Sequence, residues 1–334
     1  MIRATFELEP PGSAEALAIE ESSGMEGGPD FVRGRVVSDT GGRAVIEFPD
    51  ANWGANVPLL VSSLVAGEAS ETAAFSRCRL VDLELPTGLL PGPAFGAAPG
   101  VRVGVIVKPS LGLSPTEVAA VVEQATGAGA WLIKDDELLG DPDWCPLEDR
   151  VRVVAQVLPP DTVYCANVTG PSASLIERAR RAVSLGATGV MVNAVAQGLD
   201  SVLALRQAEL GVPILVHRAG SGPWCRNPDF GLTGAVLTRL FRLCGADFVI
   251  AGAFGGKLFE TRDEVSANLG AAREPLPGVR PSWGLLGGGI GPDNATEQAA
   301  AGGGDGLILL LGSRAYSAAG GIGESVRAVL KALS

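Results

Sequence analysis

From Val101 onward, short apolar runs alternate eight times with Ala-, Leu- and Arg-rich stretches of helical pattern, and no other feature of the chain constrains its fold as strongly. The runs begin near Gly104, Trp131, Val163, Gly189, Pro213, Phe248, Trp283 and Gly306. Spread over the 234 residues that remain, they give about 29 residues per unit, the spacing of a (β/α)8 TIM barrel of ~250 residues. An open parallel sheet would show fewer strands and a glycine fingerprint after the first.

Ahead of the repeat, residues 1–95 read differently. A strand over Ile2–Glu9, a helix over Ser13–Glu21, strands over Phe31–Ser38 and Arg43–Phe48, a helix over Val57–Val65 and a strand over Arg79–Leu85 follow in turn. This β-α-β-β-α-β order predicts a ferredoxin-like α+β domain. The Pro- and Gly-rich segment Pro86–Gly100 reads as a linker, so two domains are expected, 1–95 and 101–334.

Composition narrows the class of partner. With 26 Lys+Arg against 37 Asp+Glu the net charge is −11, which argues against a general binder of nucleic acid or anionic membrane. The five cysteines are widely spaced without a CxxC pair, so neither a disulfide framework nor a zinc knuckle is indicated. A charged N-terminal segment and the lack of any long apolar stretch predict a soluble cytoplasmic protein.

Lysine is scarce: Lys108, Lys134, Lys257 and Lys331 are the four in the chain. Where Arg serves as the ordinary surface cation, the remaining lysines are candidates for chemistry that needs a releasable proton. In a barrel, chemistry sits at the C-terminal ends of the strands, and three of the four lysines fall there.

The first run ends in Lys108-Pro-Ser-Leu-Gly-Leu, placing a candidate base at the mouth. The second ends in Lys134-Asp135-Asp136-Glu137, where Lys134 and Asp136 share a strand face and Glu137 joins them once the chain bends. Two carboxylates there suggest a hard-cation site such as Mg²⁺. A lysine amine is no ligand for it unless CO2 has converted the neutral amine to a carbamate; a solvated loop with internal salt bridges is the plainer reading. The fifth run ends in His217-Arg218, an acid/base or oxygen-binding group beside a guanidinium suited to phosphate. Lys257 tips a glycine-rich loop after the sixth run, and Gly287-Gly288-Gly289 and Gly312-Ser313 follow the seventh and eighth, the usual phosphate-binding loops of such barrels.

Together these motifs resemble the large subunit of ribulose-bisphosphate carboxylase/oxygenase (RuBisCO), and more closely the RuBisCO-like proteins. The resemblance implies that Lys134 carries a CO2-derived carbamate and holds Mg²⁺ with Asp136 and Glu137, and that Lys108 is the base. It further implies that His217 and Arg218 handle substrate oxygens and a phosphate, that Lys257 sits on the mobile loop, and that Gly288, Gly289, Gly312 and Ser313 grip a phosphate through backbone amides. Glu21 and Asn56 resemble the family's segments that reach into a neighbouring subunit, which implies a homodimer, or a larger assembly of dimers, with composite sites. Two departures stand out: Ser110 replaces a second lysine of the first motif, and Ile250 replaces a histidine for the second phosphate. With that ligand gone, CO2 fixation on a bisphosphate is not expected. The resemblance then implies an enolase or isomerase acting on a monophosphorylated ketose or diketo sugar derivative. The alternatives are a decarboxylase or C–C-cleaving enzyme of a 3-oxo sugar acid or its phosphate, and a catalytically silent regulatory relative.

Overall fold

Alternation along Ile2–Glu9 puts Ile2, Ala4, Phe6 and Leu8 on one buried face, and that face founds the first sheet. The computed structural model describes residues 1–65, 67–317 and 320–334. Strands β1 (Ile2–Glu9), β2 (Arg35–Thr40), β3 (Arg43–Phe48) and β4 (Arg77–Glu84) pair antiparallel in the order β4-β1-β3-β2. Helices Ala14–Glu20 and Val57–Leu64 complete the β-α-β-β-α-β sequence. The expected strand over Phe31–Ser38 is shifted: Asp30 to Val32 form a turn, and pairing begins at Arg35.

The barrel consists of β5 (Val101–Ile106), β6 (Leu132–Lys134), β7 (Val163–Asn167), β8 (Gly189–Asn193) and β9 (Ile214–His217), followed by β11 (Phe248–Gly252), β12 (Trp283–Gly287) and β13 (Leu307–Leu311). All eight pair parallel and close in the order β11-β12-β13-β5-β6-β7-β8-β9. Leu132, Cys165, Met191, Leu215, Leu285, Ile308 and Leu310 fill the interior. Trp131 packs against Trp283 at 5.3 Å and Phe248 at 6.1 Å between ring centroids. These aromatic residues stand at the starts of their strands and seal the N-terminal end, leaving the polar strand ends to form the mouth.

One strand has no counterpart in the sequence reading. Phe230–Leu232 (β10) leaves the barrel and pairs parallel with β4 at the edge of the first sheet. Gly231 makes this possible: its φ is +84°, and a Cβ there would lie 2.4 Å from the carbonyl oxygen of Trp224. Arg77 adds an ion pair to Asp229 at 3.2 Å, and Arg239 reaches Glu274 and Asp82. The five cysteines are buried and free. Among the described residues no helix is long and apolar enough to cross a membrane.

Candidate active site

A cavity of about 490 Å³ opens at the C-terminal end of the barrel. It is lined by Lys108, Glu137, His217, Arg218, Lys257, Gly288, Gly289, Gly312 and Ser313, so residues from six strand ends meet in one place. Lys134 and Asp136 lie beneath its floor, 0% and 1% exposed.

The carboxylates and lysines are interleaved. Lys108 Nζ lies 2.5 Å from Asp136 Oδ2 and donates to Ser110 Oγ at 2.8 Å. Lys134 Nζ donates to Glu137 Oε2 at 3.3 Å, and His217 Nε2 approaches the same oxygen at 3.3 Å. The shared strand face thus brings Lys134 and Asp136 to one spot, but each pairs with a different partner. Ala219 N–H donates to His217 Nδ1 at 3.1 Å, which leaves the proton of a neutral ring on Nε2, facing Glu137.

Burial decides the charge states. It pushes the Lys134 ammonium down, against the pull of Glu137 and Asp136. Burial also pushes His217 down, and the positive charge of Lys134 adds to it, favouring the neutral imidazole at pH 7. For Glu137 burial works toward the neutral acid, but the charge of His217 in its protonated form, together with the charge and hydrogen bond of Lys134, holds the carboxyl below its usual range.

Three supports were not visible in the sequence. Asp135 points away from the mouth and accepts from Arg150 Nε at 3.1 Å, Tyr164 OH at 2.9 Å and Asn167 N at 2.9 Å. Asn167 Nδ2 donates to the carbonyls of Asp136, Glu137 and Leu139, clasping the loop that carries the carboxylates. Tyr316 OH donates to Ile106 O at 2.8 Å and accepts from Lys108 N at 3.2 Å, fixing the end of β5. Asn167 ends an apolar run, the one signal that could have singled it out.

The opposite wall is built from backbone. Gly288 and Gly289 have φ of +110° and +115°, conformations that side chains resist. Lys257 N–H donates to Gly288 O at 2.9 Å, tying the Lys257 loop to the glycine loop.

Arg218 is not free: its guanidinium contacts the buried carboxylate of Glu260, a residue the sequence did not single out. Ile250 lines the same side. Glu21 and Asn56 are not brought to this mouth. Glu21 is buried in the first sheet's domain, accepting from Ala69 N at 3.0 Å, and Asn56 caps helix Val57–Leu64 by accepting from Leu59 N.

Among the described residues no three His, Cys, Asp or Glu side chains form a metal cage. Asp136 and Glu137 supply oxygens from two residues, and a carbamate on Lys134 would add a third beside them. The buried amine next to two carboxylates fits that role.

The family model for the ribulose bisphosphate carboxylase large chain, catalytic domain, matches residues 94–275. A rubisco-like protein from Alicyclobacillus acidocaldarius superposes with TM-score 0.85 at 30% identity, covering 99% of this chain and 93% of that one. A 3-oxo-isoapionate-4-phosphate transcarboxylase/hydrolase from Xanthobacter autotrophicus is 34% identical over 269 residues, 74% of this chain and 64% of its own length. A 2,3-diketo-5-methylthiopentyl-1-phosphate enolase from Bacillus velezensis is 36% identical over 226 residues, 61% of this chain and 54% of its own length. The chain belongs to the RuBisCO large-chain family, among its RuBisCO-like proteins. The alignments span 54 to 64% of the curated relatives' own lengths.

Proposed function

We propose that the chain is an enolase/isomerase-type enzyme that moves a proton next to a carbonyl of a monophosphorylated ketose or diketo sugar derivative, by way of an enediolate and without fixing CO2. The observation that carries this reading is the convergence at the cavity floor of two hydrogen-bonded sets, Lys108 with Asp136 and Lys134 with Glu137 and His217. Mg²⁺, held by Asp136, Glu137 and Lys134 as its carbamate, would supply Lewis acidity toward the carbonyl oxygen.

Lys108 takes the proton from the carbon next to the carbonyl. It begins in an ion pair with Asp136 at 2.5 Å, so it acts as a base only after releasing that contact and giving its own proton to water. Tyr316 holds the Lys108 backbone still meanwhile. His217 offers Nε2–H to a substrate oxygen, and Ala219 keeps that tautomer in place. The backbone of Gly288, Gly289, Gly312 and Ser313 receives the phosphate.

A second reading, decarboxylation or C–C cleavage of a 3-oxo sugar acid phosphate, draws on exposed Lys257 at the cavity rim, placed to meet a developing carboxylate, and on the Xanthobacter relative. For assembly we propose two units, 1–95 and 101–334, in a cytoplasmic homodimer. The segments that carry Glu21 and Asn56, absent from the lining of this chain's own cavity, would then lie against the partner's.

Proton NMR in D2O tests the reading, with Mg²⁺ and bicarbonate and a panel of phosphorylated ketoses, diketo phosphates and 3-oxo sugar acid phosphates. Deuterium wash-in without carbon loss is expected. Carbon loss would instead establish the second reading, and silence across the panel would leave a non-catalytic relative.

A further inference from the structure

Among the described residues Glu260 is the one buried acid at the cavity wall whose partner is a residue expected to bind substrate. It is 8% exposed, both carboxylate oxygens are shut off from solvent, and neither has a hydrogen-bond donor of good geometry. What faces it is the guanidinium of Arg218, itself 7% exposed. Arg218 follows β9 and Glu260 follows β11, which are neighbours in the barrel, while Gly312 and Ser313 follow β13, farther round the ring.

Apart from Arg218, the cations on the β9–β11 side are Lys257, exposed at the rim and tied by its backbone to the glycine loop, and Arg226. Ile250, Leu258 and Phe259 line that side, and Arg226 lies over the Phe259 ring at 5.5 Å from its centroid. A guanidinium that already has a buried counter-ion has little left to offer a dianion. A second phosphate would also be forced against the Glu260 carboxylate, and like charges at such a distance repel strongly out of water.

We propose that Glu260 is a specificity-determining residue, a resident counter-ion that neutralises Arg218 and restricts the β9–β11 end of the cavity to an uncharged, partly apolar substrate terminus. The inference rests on the proposed one-phosphate reading, in which the anion sits at the β12–β13 loops. It gives that reading a physical cause in this chain: the far end is closed to phosphate by an added negative charge as well as by a missing ligand at Ile250.

The test is calorimetric titration, with Mg²⁺ and bicarbonate present, of ribitol 5-phosphate and ribitol 1,5-bisphosphate into wild type, Glu260→Gln and Glu260→Asp. Wild type is expected to bind the bisphosphate no better than the monophosphate. Glu260→Gln should shift the preference toward the bisphosphate by roughly tenfold or more, the scale on which a buried charge pair acts at an interface. Glu260→Asp, which keeps the charge, should stay close to wild type. Because removing the counter-ion strains the fold, thermal melts in sulfate give a second readout: the anion should raise the melting temperature of Glu260→Gln more than that of wild type. An unchanged preference in Glu260→Gln together with equal sulfate shifts overturns the inference, and so does a wild type that already prefers the bisphosphate about tenfold. If the monophosphate fails to bind any of the three proteins, the one-phosphate reading falls, and the inference with it.

Discussion

Asp135 and Asp136 are adjacent in sequence, yet they belong to two charge networks built on opposite principles. Behind β6, Asp135 takes three donors, and Arg150 spends its other nitrogens on Cys145 O and Gly140 O, at 2.9 and 2.8 Å. In front, Lys108, Lys134, Asp136, Glu137 and His217 share few contacts, with Lys134 buried on a single carboxylate at 3.3 Å. A saturated buried network holds a loop in place. An unsaturated one keeps groups in reserve for something that arrives later.

That contrast predicts which substitutions stop chemistry and which loosen the fold. Lys108→Met removes the proposed base and should lower kcat by ~10²- to 10⁴-fold, with an almost unchanged melting temperature. A parallel collapse of the melting temperature would place Lys108 with the structural network instead. Asp135→Ala strands the Arg150 charge and should cost about 3 to 5 kcal/mol in urea unfolding. A loss within about 0.5 kcal/mol, the scatter of ordinary surface changes, would erase the distinction between the two networks.

How much of this was legible in the chain depends on what each feature rests on. The eight barrel strands could be located because each is apolar along its own length, and the mouth lysines because lysine is otherwise so rare. The turn of Asp135 away from the mouth, the Asn167 clasp, the Tyr316 brace and the Glu260 counter-ion could not, because each is defined by a partner up to some 200 residues away. β10 is three residues long, Phe230–Leu232, and owes its existence to the edge of a sheet formed by the first part of the chain. The placement of Arg218 was legible; its neutralisation was not.

Smaller effects sharpen the comparison. Gly288→Ala forces a side chain onto φ +110° and should cost about 1 to 2 kcal/mol of stability. It should also raise KM for a phosphorylated substrate more than it lowers kcat. A loss confined to kcat would move the glycine wall from binding to chemistry. Glu21 offers the mildest contrast, a buried carboxylate with one donor, the Ala69 N–H, where Asp135 has three. Burial raises its pKa to about 7, Ala69 N–H offsets part of this, and Glu20 and Glu68 add to it.

The folded chain therefore keeps the Glu21 proton in a range where the unfolded chain has released it. Its contribution to stability falls as pH rises from about 4.5 to about 7 and is flat above that. Melting temperatures across pH 5 to 8 should fall less steeply for Glu21→Gln than for wild type, and identical slopes would show that Glu21 is better solvated than its setting indicates.

Central to the proposed function is that Lys134, on taking up CO2, would add a third oxygen donor beside Asp136 and Glu137. Carbon-13 NMR with labelled bicarbonate and Mg²⁺ reads this directly, in wild type and in Lys134→Arg. The account predicts a carbamate carbon signal that needs Mg²⁺ for full intensity and is absent from the variant. No signal in wild type, with Mg²⁺ raising the melting temperature of both proteins equally, would contradict it.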